Sequence, residues 1–355
     1  MPFCGLILME VGMNWYLFIS LLIASITTII LLNTLTPLAK KVGLLDVADC
    51  RKTHKGAIPL IGGIAIFGGV LIASIIYFSM TMEIVAWLVA GAMILILGIF
   101  DDAWELSAKF RLVIQSVIVL LLCLFSGQHI ENLGSIIGLG DLLLGKYGYI
   151  ITLLAVIGGI NAFNMMDGLD GLAGSIALVS LIGLAILFNR SNDNVSFAIV
   201  LIIIVSLLPY LQNNILVFPF KNKIFMGDAG SMLIGFSIVW LLIRGSQSSA
   251  GFSLSFSPAT ALWLIALPLM DMVAIMGRRV YKGRSPFVAD TDHLHHKLIK
   301  RGYSSQKVLL ILVLLSVFFL LVGMFGEYLD VLDYVMFLVF LMVFVVYVWV
   351  VSWLL

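Results

Sequence analysis

The chain has 355 residues, 62% of them apolar and only 11% charged, with a formal net charge of +1. Globular domains in water carry about 45–50% apolar and about 25% charged residues, so this composition excludes a water-solvated fold and gives no footing for nucleic-acid binding. The three widely spaced cysteines, Cys4, Cys50 and Cys123, exclude a disulfide framework or a CxxC metal pair.

A helix needs about 20 apolar residues to cross a bilayer. The first dozen residues hold Glu10 and no Lys or Arg, which is not a signal-peptide start; Met13 is a second candidate start. Apolar runs then follow in order at 15–38, 58–79, 84–100, 110–126, 149–166, 172–188, 195–211, 226–243, 259–277, 308–325 and 335–355. The runs at 110–126 and 226–243 are the weakest. The expectation is an all-α, polytopic membrane protein with about eleven spans, forming a single domain over 1–355. There is no internal repeat of the kind found in two-halved transporters.

Eleven spans put the termini on opposite sides. Of the 20 Lys and Arg residues, 17 fall on one set of alternate loops and only Lys146, Arg190 and Arg244 on the other. Cytoplasmic loops carry the excess of Lys and Arg. The N-terminus is therefore expected outside (periplasmic) and the C-terminus in the cytoplasm. Asp46, Asp49, Asp101, Asp102, Glu105, Asp167, Asp170, Asp228, Asp271, Asp290 and Asp292 cluster on the same cytoplasmic side. Acids contribute little to topology, so chemistry is the better account of them. A transporter would instead place its acids near the bilayer midplane.

Five motifs lie on that side. The first is Arg51-Lys52-Thr53-His54-Lys55-Gly56, followed by Ile58-Pro59 and Gly62-Gly63. It fits ordinary positive-inside charge and helix packing as well as ligand approach. The second, Asp101-Asp102, ends the third span. Adjacent carboxylates repel each other, and a divalent cation relieves the repulsion. Mg²⁺ fits, because it takes carboxylate oxygens and leaves positions for substrate phosphates. A solvated helix end is the alternative. The third, Asn161-Ala-Phe-Asn164-Met-Met-Asp167-Gly168-Leu-Asp170-Gly171, interrupts an apolar hairpin with more polar groups than a turn needs. Asp167 and Asp170 are three apart, so one helical face could carry both.

The fourth motif, Phe225-Met226-Gly227-Asp228-Ala229-Gly230-Ser231, resembles a capped helix N-terminus, which favours anions. Phe225 fits either a base-stacking role or the interface belt. The fifth is the basic loop from Arg278-Arg279 to Lys307, with Ser285-Pro286-Phe287 and Asp292-His293-Leu294-His295-His296. A membrane-surface patch explains its cations but not three histidines in four positions. No zinc spacing is present, so phosphate contact or proton transfer fits better. Asp271, inside the ninth span, is either functional or the partner of Arg278 or Arg279.

Taken together these motifs, in this order and spacing, resemble the polyprenyl-phosphate N-acetylhexosamine-1-phosphate transferases, most closely their bacterial undecaprenyl-phosphate N-acetylglucosaminyl branch. The resemblance runs from about residue 40 to 300. It implies transfer of N-acetylglucosamine 1-phosphate from UDP-N-acetylglucosamine to undecaprenyl phosphate, releasing UMP. This would be the first membrane step of an O-antigen or enterobacterial common antigen type polysaccharide. It also implies Mg²⁺ as cofactor, with Mn²⁺ as the substitute, the bacterial inner membrane as location and a homodimer as a possible assembly. The active site would be built from 39–63, 101–111, 161–174, 212–231 and 271–301.

By the resemblance Asp101, Asp102, Asp167, Asp170, His293, His295 and His296 are catalytic. Asp228, Asp101 and Asp102 hold the metal. Arg51, Lys52, His54, Lys109, Asn164, Asn214, Phe225, Arg278 and Arg279 bind substrate, with Asn214 and Phe225 near uracil. Asp101 is a candidate base for the lipid phosphate. A two-step route through an aspartyl-phosphate on Asp167 competes with direct attack. Another UDP-N-acetylhexosamine is the alternative donor.

Overall fold

The computed structural model describes residues 3–47, 56–215, 223–248, 254–286 and 293–353. Arg51, Lys52 and His54 lie outside the described residues, as do Asp49, Phe287, Asp290 and Asp292.

The helices are α1 (Phe3–Val42), α2 (Gly62–Tyr77), α3 (Met82–Trp104), α4 (Ala108–Ser126), α5 (Gly148–Met165), α6 (Leu172–Arg190), α7 (Asn194–Ile215), α8 (Gly227–Ser246), α9 (Pro258–Leu264), α10 (Ala266–Tyr281), α11 (Leu294–Lys300), α12 (Ser305–Tyr328) and α13 (Asp333–Trp353). A short antiparallel ribbon, β1 (Leu45–Val47) and β2 (Ala57–Pro59), pairs Leu45 with Pro59 and Val47 with Ala57.

Among the described residues nine helices are long and apolar enough to cross a membrane, and α9 with α10 make a tenth if that bent pair is one span. The protein is a polytopic membrane protein. Each of the eleven predicted apolar runs contains a helix, although α2, with 16 residues, is short for a span.

The ninth run departs from expectation. It is not one straight helix but two, bent by 82°. Pro268 is the reason. It has no N–H to offer the Leu264 carbonyl four residues back. That carbonyl accepts the Ser180 hydroxyl at 2.7 Å instead. Backbone groups freed inside a membrane protein must find such partners.

The run at 226–243 is among the weakest by hydropathy because its start is polar. Yet α8 is the most enclosed helix, buried on every side. It packs against α2, α3, α5, α6 and α9. Helices that are buried all round need no polar face. A Cβ at Gly63 would strike the backbone of Gly230, and one at Gly98 the backbone of Ala229. Small residues thus let α2 and α3 reach the start of α8.

Far from that start, at the other end of α8, buried Arg244 is ion-paired with Glu83 of α3. Its Nε donates to Ser196 Oγ at 2.5 Å, and Asp193 lies 3.8 Å away. Gln128 also donates to Glu83, at 2.5 Å. This network ties α3, α7 and α8 together at the opposite end of the bundle.

Candidate active site

Four elements meet at the start of α8. The first turn of any helix leaves backbone N–H groups without partners. Here no side chain of the Gly227–Ser231 segment caps them. Asp102, on the last turn of α3, does so instead. Its Oδ1 accepts the Asp228 N–H at 2.8 Å and its Oδ2 the Ala229 N–H at 3.2 Å. The expected local cap is therefore supplied from another helix. Gly227 adopts φ +71 and lies against the same carboxylate, where a Cβ would collide with it.

Asp101 faces elsewhere. Its Oδ1 accepts the Leu106 N–H at 2.9 Å, and its Oδ2 pairs with Arg111 of α4. Arg111 also lies 3.8 Å from Asp228 Oδ2. Asp101 is within hydrogen-bonding reach of Asp228 as well. Arg111 thus sits between two carboxylates. Its only signal in the sequence is a weak one, a cation ten residues after Asp101. Lys109, two residues before Arg111, stands exposed, without an ion pair among the described residues.

Asp228 is freed by this arrangement. Its side chain remains 40% exposed. Asn164, at the end of α5, donates to Asp228 Oδ1 at 2.8 Å and to Ser231 Oγ at 3.0 Å. Asp228 Oδ1 is thus held, while Oδ2 lies near Arg111 in a side chain that stays partly exposed. Asn161, one turn earlier, donates to Gln115 of α4 at 3.2 Å and to the Ile157 carbonyl at 2.8 Å.

The expectation that Asp167 and Asp170 share a helical face is corrected. Both lie in the turn between α5 and α6, not on a helix. Gly168 and Gly171, the latter at φ +74, break the helix here. The two acids consequently differ. Asp170 is 46% exposed and pairs with Lys223 at 2.6 Å. Asp167 is partly buried, and its carboxylate has no hydrogen-bond partner among the described residues. Burial, then the nearby charges of Asp228 and Asp170, push it up to about 7.

In the sequence Lys223 counts only as a loop charge. In the fold its ammonium also lies 5.3 Å over the Phe225 ring. Phe225 is fixed by its backbone, whose N–H donates to Pro59 and whose carbonyl accepts the Gly62 N–H, both at 3.0 Å. The ribbon β1–β2 is thereby stitched to the entry of α8. Asn214 is a buried bracket. Its Oδ1 accepts the Gly171 N–H at 2.5 Å and its Nδ2 donates to the Ile224 carbonyl at 2.8 Å. Both ends of its amide are used, so it positions Ile224 and Phe225.

The histidines complete the rim. Helix α11 places the His295 ring against Gly168, beside Asp167. His295 is 1% exposed, and neither ring nitrogen has a hydrogen-bond partner among the described residues. Burial, then its histidine neighbours, lower it to about 3. Its ring is 4.2 Å from that of His296 and 5.6 Å from that of His293. His293 Nδ1 contacts Asp271 Oδ2 at 2.7 Å. Asp271 thus pairs with the histidine run, in place of the Arg278 or Arg279 partner that the sequence suggests. Arg279 donates to the Pro286 carbonyl at 2.6 Å. The Arg278 guanidinium has two buried nitrogens without a hydrogen-bond partner among the described residues.

Among the described residues no three His, Cys, Asp or Glu side chains are gathered to hold a metal by themselves. The donor set fits a smaller demand. Asp228 is partly open, Asp167 lacks a partner among the described residues, and both sit among other acids. Mg²⁺ is commonly held by one or two carboxylates, with water and substrate phosphates filling the remaining positions.

Comparison with known proteins gives the family. Residues 84–246 match the family described as glycosyl transferase family 4. An undecaprenyl-phosphate alpha-N-acetylglucosaminyl 1-phosphate transferase of Haemophilus influenzae is 40% identical over 317 residues, covering 88% of this chain and 86% of that protein. Proteins of the same description from Escherichia coli K12 and Yersinia pestis are 38% and 36% identical, each over 81% of this chain and 78% of the relative.

Proposed function

This chain belongs to the undecaprenyl-phosphate alpha-N-acetylglucosaminyl 1-phosphate transferases of glycosyl transferase family 4, and we propose how its site performs the transfer. The substrates are UDP-N-acetylglucosamine and undecaprenyl phosphate. A phosphate oxygen of the lipid attacks the sugar-side phosphorus of the diphosphate. That P–O bond forms, the bond to the UMP phosphate breaks, and UMP leaves with the electron pair. One diphosphate replaces another, so the step is close to isoenergetic.

The single observation that carries this reading is the Asp228 carboxylate, held at Oδ1 by Asn164 and still partly exposed, with Arg111 near Oδ2 and Asp167 close by. Asp228 with Asp167 would hold Mg²⁺, which when bound neutralises diphosphate oxygens. Arg111 supplies fixed positive charge beside Asp228, and Arg278 is a second candidate for the role. Asp101 is engaged by Arg111 and Leu106. Those contacts leave Asp101 poorly placed to act as the base for the lipid phosphate at neutral pH. His295 stays neutral there and can donate or accept a hydrogen bond at the rim. Phe225, with Lys223 above it, offers a ring face to the uracil.

The orientation follows from charge. The loops at the α8 entry carry most of the chain's Lys and Arg, so this end faces the cytoplasm of a bacterial cell. Counting α2 and the bent pair α9–α10 as spans gives eleven, with the N-terminus periplasmic and the C-terminus cytoplasmic.

The test uses purified protein in lipid nanodiscs with undecaprenyl phosphate, Mg²⁺ and labelled UDP-N-acetylglucosamine. A lipid-linked sugar diphosphate and UMP are expected in equal amounts, and EDTA should stop the reaction without unfolding the protein. Asp228→Asn should lose about 100-fold or more in turnover while staying folded. Full activity in that variant would remove Asp228 from the site. UMP exchange into UDP-N-acetylglucosamine without lipid would replace direct attack by the two-step route. A panel of UDP-N-acetylhexosamines tests the donor.

A further inference from the structure

Helix α13 reads in the sequence as one more apolar span. In the fold it does something more specific. Its Tyr347 hydroxyl donates to Asp271 Oδ1 at 2.7 Å. The same carboxylate receives the Leu294 N–H at 3.3 Å and His293 Nδ1 at 2.7 Å. Asp271, Tyr347 and His293 are all buried. A carboxylate in such a place has to be satisfied by donors, or it costs several kcal/mol.

The acceptor role of Asp271 orients the ring of His293. Facing an acceptor, Nδ1 carries a hydrogen, which holds the ring in one orientation. His293 is the residue that opens α11 (φ −61, ψ 150), so fixing its ring also fixes where that helix begins. The His293 and His295 rings lie stacked, 14° from parallel, and His295 rests against Gly168 beside Asp167. A continuous set of contacts therefore runs from Tyr347 to the acids of the site.

Two more contacts reinforce it. Lys297 Nζ donates to the Val351 carbonyl at 2.9 Å, and Arg301 Nη2 donates to the Trp353 carbonyl at 3.0 Å. The Arg301 guanidinium also lies 5.3 Å over the Trp353 ring. The last carbonyls of a helix lack partners within it and attract cations. So α13 holds α11 at its middle and just beyond its end, and reaches its start through Asp271 of α10. A helix of 7 residues cannot hold itself in shape. It takes its position from what it touches.

We propose that α13 is a splint for the histidine helix, and that Tyr347 is a positioning residue for the transfer reaction, acting through Asp271 and His293. The catalytic part of this proposal rests on the function proposed above; the splint itself does not. Tyr347 hydrogen-bonds Asp271 and neither Asp167 nor Asp228. Its effect is on turnover through the placement of His293 and His295, not on nucleotide-sugar binding.

The experiment compares wild type with Tyr347→Phe in nanodiscs. It records kcat, KM for UDP-N-acetylglucosamine, melting temperature and amide hydrogen exchange of the 293–301 peptide. The expected result is a fall in kcat of about tenfold, the size of one lost hydrogen bond to a buried charge. KM should stay within about twofold, and exchange should speed up in 293–301 above all other segments. Unchanged kcat overturns the positioning role, whatever exchange shows. Uniformly faster exchange with a lowered melting temperature also overturns it, because that is general destabilisation. If Tyr347→Phe does not fold, Lys297→Met cuts the second contact and is judged by the same readouts. A wild type without transfer activity would sink the proposed function, while exchange at 293–301 would still decide the splint.

Discussion

The carboxylate of Asp102 caps the helix that carries Asp228, accepting the Asp228 backbone N–H at 2.8 Å from 126 residues away in the chain. The aspartate pair at the end of α3 therefore has divided duties. Asp102 builds the entry of α8, Asp101 holds Arg111, and Asp228 is presented with its carboxylate partly exposed.

That division predicts different phenotypes for the two carboxylates at the α8 entry. Asp102→Ala removes a cap from α8 and should cost about 1 kcal/mol of stability or more, with a lower melting temperature and lower turnover together. Asp228→Asn should lower turnover with little change in melting. Thermal melts of both variants beside their kcat values separate the two roles. Equal melting temperatures would show that the cap contributes nothing.

Asn164 fixes one edge of Asp228. Asn164→Ala should leave that carboxylate free to turn and reduce kcat by about 10- to 100-fold, the usual effect of removing a group that orients a metal-binding side chain. The Mg²⁺ concentration giving half-maximal rate should rise in the same variant. A Mg²⁺ titration of initial rates checks both, and an unchanged titration curve would count against metal at Asp228.

Buried Arg244 pairs with half-buried Glu83 at the end of α8 far from the site. Removing Arg244 leaves the partly buried carboxylate of Glu83 without its cation, at about 1–3 kcal/mol. Arg244→Met should thus melt markedly lower yet keep its KM and kcat at low temperature. Arg244→Met combined with Glu83→Met should recover much of the loss, since neither charge is then stranded. Melting curves of the single and double variants decide this.

His295 gives a pH signature. Its folded value is held near 3, below the ordinary imidazole value of 6.5. Between these values the unfolded chain binds a proton that the folded protein does not. The stabilisation is therefore complete above about pH 6.5 and is lost as pH falls, by at most about 1.4 kcal/mol per unit. Melting temperature measured from pH 7.5 to 4.5 should fall less steeply in His295→Gln than in wild type. Parallel curves would show that His295 takes up its proton in the folded protein.

Much of the site is legible in the amino-acid sequence. The carboxylates, the histidine run and Asn164 stand out because acids and polar groups are costly in an apolar chain, so their mere presence is informative. Arg111, Lys223 and Tyr347 escape notice there for the opposite reason. A cation in a cytoplasmic loop and a tyrosine in a terminal span are ordinary in a membrane protein. Only their partners, Asp101, Asp170 and Asp271, give them meaning.

The helices, their order and the face on which the chemistry gathers are written in the chain itself. Apolar runs about 20 residues long and the distribution of Lys and Arg are local properties, and a bilayer reads them locally. What each acid is for is settled by packing in three dimensions. Asp101, Asp102, Asp167, Asp170 and Asp228 carry the same carboxylate, and they differ only in what other helices bring to them: a guanidinium, two backbone amides, no partner among the described residues, an ammonium and an amide side chain. The break of the ninth span at Ile265 is completed in the same way, since Ser180 from α6 satisfies the carbonyl that Pro268 leaves free. Contacts between residues far apart in the chain leave no periodic trace, because they arise from packing after the helices have formed.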